Sequence, residues 1–253
     1  MSADGLLKFD WPLPRGVRAA FTTRIGGASR APWDSFNVAK HVGDDPAAVA
    51  ANRAQLLSKL SLPSDPAWLN QVHGSDVIDL DASQAPGAAV TGDAAITAAP
   101  GRVCVIMVAD CLPVLFASRD GGRIGAAHAG WRGLVAGVLE RTVAALDVAP
   151  AELSAWLGPG ISQRHFEVGE EVRAAFAGGD PGASAYFIAN ERGRWQADLV
   201  GLARRRLEQL GVRPVAGGEW CTYADRANFF SHRRDGHLHE GKGGRMAALI
   251  WKE

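Results

Sequence analysis

The chain carries no excess charge of either sign: lysine plus arginine and aspartate plus glutamate each number 27 among 253 residues. Without a basic field to attract polyanions, nucleic acid is not an expected partner. Long hydrophobic runs are missing too. The opening Met1-Ser2-Ala3-Asp4-Gly5-Leu6-Leu7-Lys8 lacks the basic start and apolar stretch of a secretory signal, and no later segment has the roughly 20 apolar residues a membrane helix needs. A soluble cytoplasmic protein with no membrane partner is the expectation. Cysteine is scarce and odd in number. Cys104, Cys111 and Cys221 suit a reducing compartment and no disulfide framework, which leaves thiolates free for metal or catalysis. Linkers, repeats and low-complexity tracts are likewise missing. Length alone allows one large domain or two small ones, and the uninterrupted alternation of strand and helix signals favours one domain over residues 1–253.

Val17-Arg18-Ala19-Ala20-Phe21-Thr22-Thr23 reads as a strand ending at Arg24-Ile25-Gly26-Gly27, where paired glycines let the backbone approach a ligand. Asp44 or Asp45 then caps a helix opened by Pro46 and running to about Leu60. Extended pieces are expected at 68–73 and 77–80. The densest β signal lies at 103–109, 113–117 and 124–128, with Asp120-Gly121-Gly122 turning between the last two. Apolar runs this continuous mark strands covered on both faces. Apolar positions at helical spacing predict one helix over 131–146, leaving directly after the third strand. A strand at 153–157, helices at 168–177 and 198–210, and strands near 218–222, 228–231 and 246–251 complete the pattern. The Gly- and Ala-rich stretch 176–185 reads as an exposed loop. The fold class is α+β (mixed α/β), a single layered domain.

Within this frame His73, Cys111 and His128 share one local context. Each follows an apolar run and meets a small-residue or proline-bearing turn: Asn70-Gln71-Val72-His73-Gly74, Ala109-Asp110-Cys111-Leu112-Pro113 and Ala127-His128-Ala129-Gly130. Two imidazoles and one thiolate suffice for a catalytic zinc, which takes three protein ligands and keeps a fourth position open. Their spacing matches no compact zinc finger, so a second reading stands beside it: two hydrogen-bonded polar residues and one buried cysteine that packs as a small hydrophobe. Gln71, Asp110 and Arg132, one close to each candidate in sequence, could orient a ligand or substrate. Asp110 is either a turn carboxylate or a group that accepts a proton or grips a substrate amine or hydroxyl. In an extended chain Asp110 and Cys111 face opposite ways, so both cannot bind one ion without a bulge.

Gly130-Trp131-Arg132-Gly133 opens a helix whose free amides suit an anion, and Arg132, beside Gly133, and Arg24, two residues before Gly26, are candidate anion clamps; the alternative is two solvated surface arginines. Arg233-Arg234-Asp235 could also supply a clamp, although charge runs are usually solvated loops. His237-Leu238-His239 would put two rings on one strand face near His232, yet its surroundings read as a turn, not a second metal site. His41 and His165 lack metal-binding company and read as hydrogen-bonded helpers.

Taken in order, segments 22–27, 37–44, 70–76, 92–94, 109–113, 127–133, 158–161, 221–222, 229–235 and 244–247 resemble the YfiH family, also called the laccase-domain or multicopper polyphenol oxidase family and later reassigned as purine nucleoside phosphorylases. The resemblance implies that His73, Cys111 and His128 bind one zinc. It also implies a sandwich of mixed sheets flanked by helices, similar to a toxin deamidase fold. The activity it implies is phosphorolysis of adenosine, inosine, guanosine or methylthioadenosine, with adenosine deaminase activity, so a purine nucleoside and phosphate become the expected partners. Cys111, His128, Asp110 and Arg24 are then the catalytic candidates, and Arg24, Asn37, Arg132 and Gly158 the substrate-binding ones.

Seven histidines with one His-x-His are too few for the several centres of a blue-copper laccase, although Cu2+ could replace zinc at one N/S site. A cytidine-type deaminase pairs His-x-Glu with Pro-Cys-x-x-Cys, and the second half is missing, so deamination would need another architecture. Two rivals remain. Cys111 could be a nucleophile with His128 as its base, hydrolysing an amide, for which the family resemblance suggests a peptidoglycan precursor. The chain could also be a non-catalytic metal-binding module, with Cys221 or His232 closing the fourth position.

Overall fold

Apolar runs without polar alternation need cover on both faces, and the architecture supplies it. The structure, a computed structural model, describes residues 5–82, 90–239 and 242–253. In chain order the elements are β1 (Val17–Phe21), α1 (Pro46–Lys59), β2 (Val77–Asp79), β3 (Ala94–Thr97), β4 (Val103–Val108), β5 (Leu112–Ser118), β6 (Ile124–Ala129), α2 (Trp131–Val135), α3 (Val138–Ala145), β7 (Leu153–Leu157), β8 (Glu167–Val168), α4 (Glu170–Gly179), β9 (Phe187–Ala189), β10 (Trp195–Ala197), α5 (Leu199–Leu210), β11 (Val215–Gly217), α6 (His232–Leu238) and β12 (Met246–Lys252).

A mixed six-stranded sheet in the order β11-β7-β5-β6-β3-β2 packs against an antiparallel three-stranded sheet, β1-β12-β4. Cys104, Ile106 and Val108 of β4 and Met246, Ala248 and Ile250 of β12 meet Leu115, Ala117, Ile124 and Ala126 of the larger sheet between the layers. The alternate residues Val103, Val105, Met107, Leu249 and Trp251 face outward and are covered by Leu56 of α1 with Phe36 and Val38. On the far side of the larger sheet, Val114, Phe116 and Ala127 pack under α3, α4 and α5 through Leu139, Val143, Val172, Phe176, Leu202 and Leu207. A small antiparallel sheet, β8-β10-β9, flanks this helical layer. The expected sandwich of mixed sheets flanked by helices is therefore what forms. Among the described residues no helix is long and apolar enough to cross a membrane.

Helix punctuation follows the expected chemistry. Asp45 caps α1 by accepting from Ala47 N with Pro46 in the first turn. Asp198 caps α5, and Gly211 ends it in the left-handed conformation. Elsewhere the structure corrects the sequence reading. The expected helix over 131–146 is two helices, because Gly137 at φ 85° breaks the chain between α2 and α3. Residues 68–73 make one isolated bridge, Asn70 with Thr91, not a strand. Residues 176–185 are not an exposed loop: α4 continues to Gly179, a 3-10 turn spans Pro181–Tyr186, and Phe176 and Ala183 are buried. The strands expected near 218–222 and 228–231 reduce to one bridge, Gly160 with Cys221, and a lead into α6. His237 thus lies on a helix and His239 at its cap, not on a strand. β3 carries little signal of its own because Ala-Ala-Ile-Thr is too short and small-sided to register as an apolar run, although all four residues are buried.

Register brings distant segments together at one end of the sandwich. In the β5–β6 hairpin Pro113 pairs with His128, so Cys111 sits beside the end of β6. Ala94 of β3 pairs with Ala127, which sets Asp93 next to His128. The bridge between Asn70 and Thr91 draws the His73 turn to the same edge. In the smaller sheet Met246 pairs with Val108, so the residues before β12 adjoin those after β4.

Candidate metal centre

His73, Cys111 and His128, remote in sequence, bring their ligand atoms to within 4.8 Å of one another. The two rings stand edge to face with centroids 4.8 Å apart. Among the described residues this is the one group of three or more such side chains able to share an ion. Gly130 leaves room for it, since a Cβ there would lie 2.9 Å from Cys111 Sγ and 3.2 Å from His73 Cδ2. One soft sulfur and two borderline nitrogens, graded from exposed His73 to buried His128, form a donor set that fits zinc with an open fourth position.

Asp93, fully buried, organises the group, and sequence reasoning assigns it no role. Its carboxylate accepts from the amides of Val72 (3.1 Å), His73 (2.9 Å) and Gly74 (2.7 Å), three successive donors folded around one anion. These bonds hold His73 in its left-handed conformation, φ 61°. The same carboxylate accepts from His128 Nδ1 at 2.8 Å, which leaves Nε2 with the lone pair that can meet sulfur or metal. Burial raises the Asp93 carboxyl, but the bonds from His128 and Gly74 outweigh it and keep the group ionised. Burial also raises the Cys111 thiol, yet His128 and His73 overcome that and bring it down to about 6, so the thiolate is favoured. For His128 burial disfavours charge, while Cys111 and Asp93 push the imidazole upward. Nothing local to Gly92-Asp93-Ala94 says that the carboxylate will be buried; an acidic residue leading directly into an apolar quartet is the available signal.

Asp110, at φ 88°, turns the chain so that its side chain leaves the trio while Cys111 joins it, as opposed facing requires. Its carboxylate accepts from Thr222 Oγ1 (2.6 Å), Ser231 Oγ (3.0 Å) and Arg233 N (2.7 Å) and so ties α6 to the Cys111 turn. The expected catalytic carboxylate is therefore committed to structure. Gln71 is likewise occupied, donating to Met107 O at 2.9 Å and accepting from Met107 N at 2.8 Å.

The trio opens into a cavity of about 180 Å³ lined also by His41, Gln71, Met107, Val108, His232 and Arg245. None of Arg24, Asn37, Arg132 and Gly158 lines it. Arg24 lies in a separate depression with Asp34, Arg226 and His239, where its Nε donates to Asp34 O at 2.8 Å and its guanidinium stacks on Phe230. Arg132 is exposed and lies over the Trp131 ring. Asn37 is buried, donating to Ala39 O and Asp44 and accepting from Ala39 N and Arg245 N. Gly158 follows β7, where a Cβ would come within 2.7 Å of the Pro113 ring. His41 and Arg245 do reach the cavity, although their sequence context suggests no more than a helper and part of a motif.

A second cysteine–histidine grouping lies apart from these ligands. Cys221 Sγ sits 3.5 Å from His165 Nδ1 and accepts from the amides of Ser162 and Ala224, each at 3.4 Å. His165 also meets Ser162 Oγ at 3.2 Å and stacks on Tyr223.

Residues 18–253 match the family model described as multi-copper polyphenol oxidoreductase laccase, and the chain belongs to that family. It is 50% identical over 241 residues to the Escherichia coli (strain K12) protein named purine nucleoside phosphorylase YfiH, covering 95% of this chain and 96% of that one. A Pseudomonas aeruginosa protein, also named a purine nucleoside phosphorylase, is 50% identical over 243 residues, with 96% of each chain covered. Among solved structures, YlmD from Geobacillus stearothermophilus superposes with a TM-score of 0.92 at 30% identity, covering 100% of this chain and 98% of the other. A Neisseria meningitidis protein gives a TM-score of 0.92 at 44% identity, covering 98% and 99%.

Proposed function

We propose that the chain, acting as one domain in the cytoplasm, is a zinc-dependent purine nucleoside phosphorylase that also deaminates adenosine. The observation that carries this reading is the open-sided group of two imidazoles and one thiolate at the end of a cavity. The names of the relatives point to nucleoside and phosphate as substrates. Adenosine, inosine, guanosine and methylthioadenosine are the candidate nucleosides. Zinc, when bound, supplies a Lewis acid that stabilises developing negative charge.

The chain's own residues do the rest. His73, Cys111 and His128 hold the ion, and Asp93 fixes the His128 tautomer and the His73 turn. Gly130 keeps the approach clear. A cavity of about 180 Å³ is smaller than the roughly 300 Å³ at which ligand pockets begin, so it admits the reacting end of a nucleoside and leaves the remainder at the mouth. Positioning within that space and fixed charge around it lower the barrier. Multicopper oxidation is disfavoured because the described residues offer one three-ligand group, not several. Copper remains a chemically competent substitute at that one group.

Purified protein given inosine and phosphate is expected to release hypoxanthine and ribose 1-phosphate in equal amounts, and to release ammonia from adenosine without phosphate. Unchanged rates in a Cys111→Ala protein would refute the reading.

One observation favours a second reading, a cysteine amidohydrolase acting on a peptidoglycan precursor: Cys111 is held toward thiolate beside a histidine held toward the protonated form. A covalent adduct trapped on Cys111 during turnover would establish that reading in place of the first.

A further inference from the structure

The cavity is lined by two chemically different sets of side chains: the donor trio His73, Cys111 and His128, and a set made of Arg245, His41 and His232, with no aspartate or glutamate among the described residues that line it. Arg245 is held in place from several directions. Its amide donates to Asn37 Oδ1 at 2.9 Å, and its carbonyl accepts from Val38 N at 3.3 Å. Gly244 before it lies flat on Phe230, where a Cβ would meet the ring at 2.5 Å.

The guanidinium is only half used. Nη1 donates to the carbonyls of Gly243 (2.9 Å) and Gly244 (3.0 Å). Among the described residues Nε and Nη2 have no hydrogen-bond partner, and no carboxylate pairs with Arg245. Those two nitrogens form one edge of the guanidinium plane, the edge that binds two oxygens of a carboxylate or phosphate side by side. Burial opposes its charge, whereas Cys111, Asp110 and Asp235 support it; burial, and after it the Arg245 charge, disfavours protonation of His41 and His232. A fixed cation whose forked edge has no partner among the described residues, with two imidazoles lining the same cavity, is a receptor for a tetrahedral oxyanion.

We propose that the Nε–Nη2 edge of Arg245, which shares its cavity with His41 and His232, is the oxyanion subsite of this cavity and that inorganic phosphate occupies it during turnover. The subsite follows from the geometry, and its occupant rests on the phosphorylase reading. An oxygen of hydrogenphosphate forms the bond to the ribose C1′ as the C1′–N bond breaks. The bonding pair leaves with the purine, which takes up the proton of the hydrogenphosphate. Asn37 then acts one step removed, as a positioning residue that pins the Arg245 backbone.

Calorimetric titration of inorganic phosphate into the metal-replete full chain tests this, with ribose 1-phosphate release from inosine measured on the same preparations. Arg245→Gln is expected to weaken phosphate binding, and to raise the KM for phosphate, by about tenfold or more, while bound metal stays unchanged. Arg245→Lys, which keeps the charge and loses the fork, should fall between that variant and the parent. If Arg245→Gln does not fold, Arg245→Lys and His232→Asn carry the test, each with an expected loss of about threefold. Phosphate affinity indifferent to these changes, or lost instead in Arg24→Gln, would overturn the subsite. Nucleoside phosphorolysis with a phosphate KM untouched by Arg245→Gln defeats the subsite and leaves the phosphorylase. Arg245-dependent phosphate binding without nucleoside cleavage defeats the phosphorylase and leaves the subsite.

Discussion

Cys111 and Cys221 each sit beside histidine, yet the two surroundings differ in the features that make a metal site. Around Cys111 two imidazoles converge, and a fully buried carboxylate behind them fixes one tautomer and the turn that carries the other ring. Around Cys221 there is one imidazole, a hydroxyl and two backbone amides that donate to sulfur. A thiol receiving hydrogen bonds from fixed amides is settled without an ion, whereas the Cys111 group gathers lone pairs that a cation would satisfy. The lesson is that a neighbouring histidine does not define a metal centre; convergence and the layer behind the ligands do.

The comparison breaks first at Asp93. Asp93→Asn removes the charged acceptor of three amides and of His128 Nδ1. Metal affinity should fall by about 10- to 100-fold. Loss of charged hydrogen bonds in a buried site should also destabilise the chain by about 3 kcal/mol, read by denaturant unfolding. Parental affinity and stability in the Asp93→Asn protein would show that the carboxylate is not the organiser.

A smaller effect lies in the pH dependence of the metal-free chain. Because the folded Cys111 thiol is brought down to about 6, its thiolate persists above that pH and is lost as pH falls through it. Alkylation of Cys111 followed by peptide mass spectrometry should therefore inflect near pH 6, against about 8.5 for a free cysteine. Buried Cys104, pushed upward by desolvation, should stay unmodified throughout. The smallest change is expected on the other side of the comparison: Cys221→Ser should leave metal content intact and shift stability by no more than about 1 kcal/mol. Loss of the ion in that variant would erase the distinction.

The central parts are visible in the sequence because they rest on local chemistry. Apolar β4, β5 and β6, the Asp45 and Asp198 caps and the three candidate ligands at turns all carry signals in neighbouring residues. What stays hidden depends on pairing across the fold. Asp93 matters because β3 lies against β6, and β3 itself is too short to announce its presence. Arg245 reaches the cavity because β12 runs antiparallel to β4, whereas Arg24 and Arg132, also in glycine-bearing segments, face elsewhere. Asp110 looks catalytic from its position beside Cys111, and only its left-handed backbone shows that the carboxylate points toward α6.

Metal content of the full chain, measured by mass spectrometry after exhaustive dialysis alongside Cys111→Ala and Cys221→Ser, tests the central claim most directly. About one zinc per chain is expected in the parent and in Cys221→Ser, with almost none in Cys111→Ala. Equal metal in the parent and Cys111→Ala, or none in the parent, would contradict it.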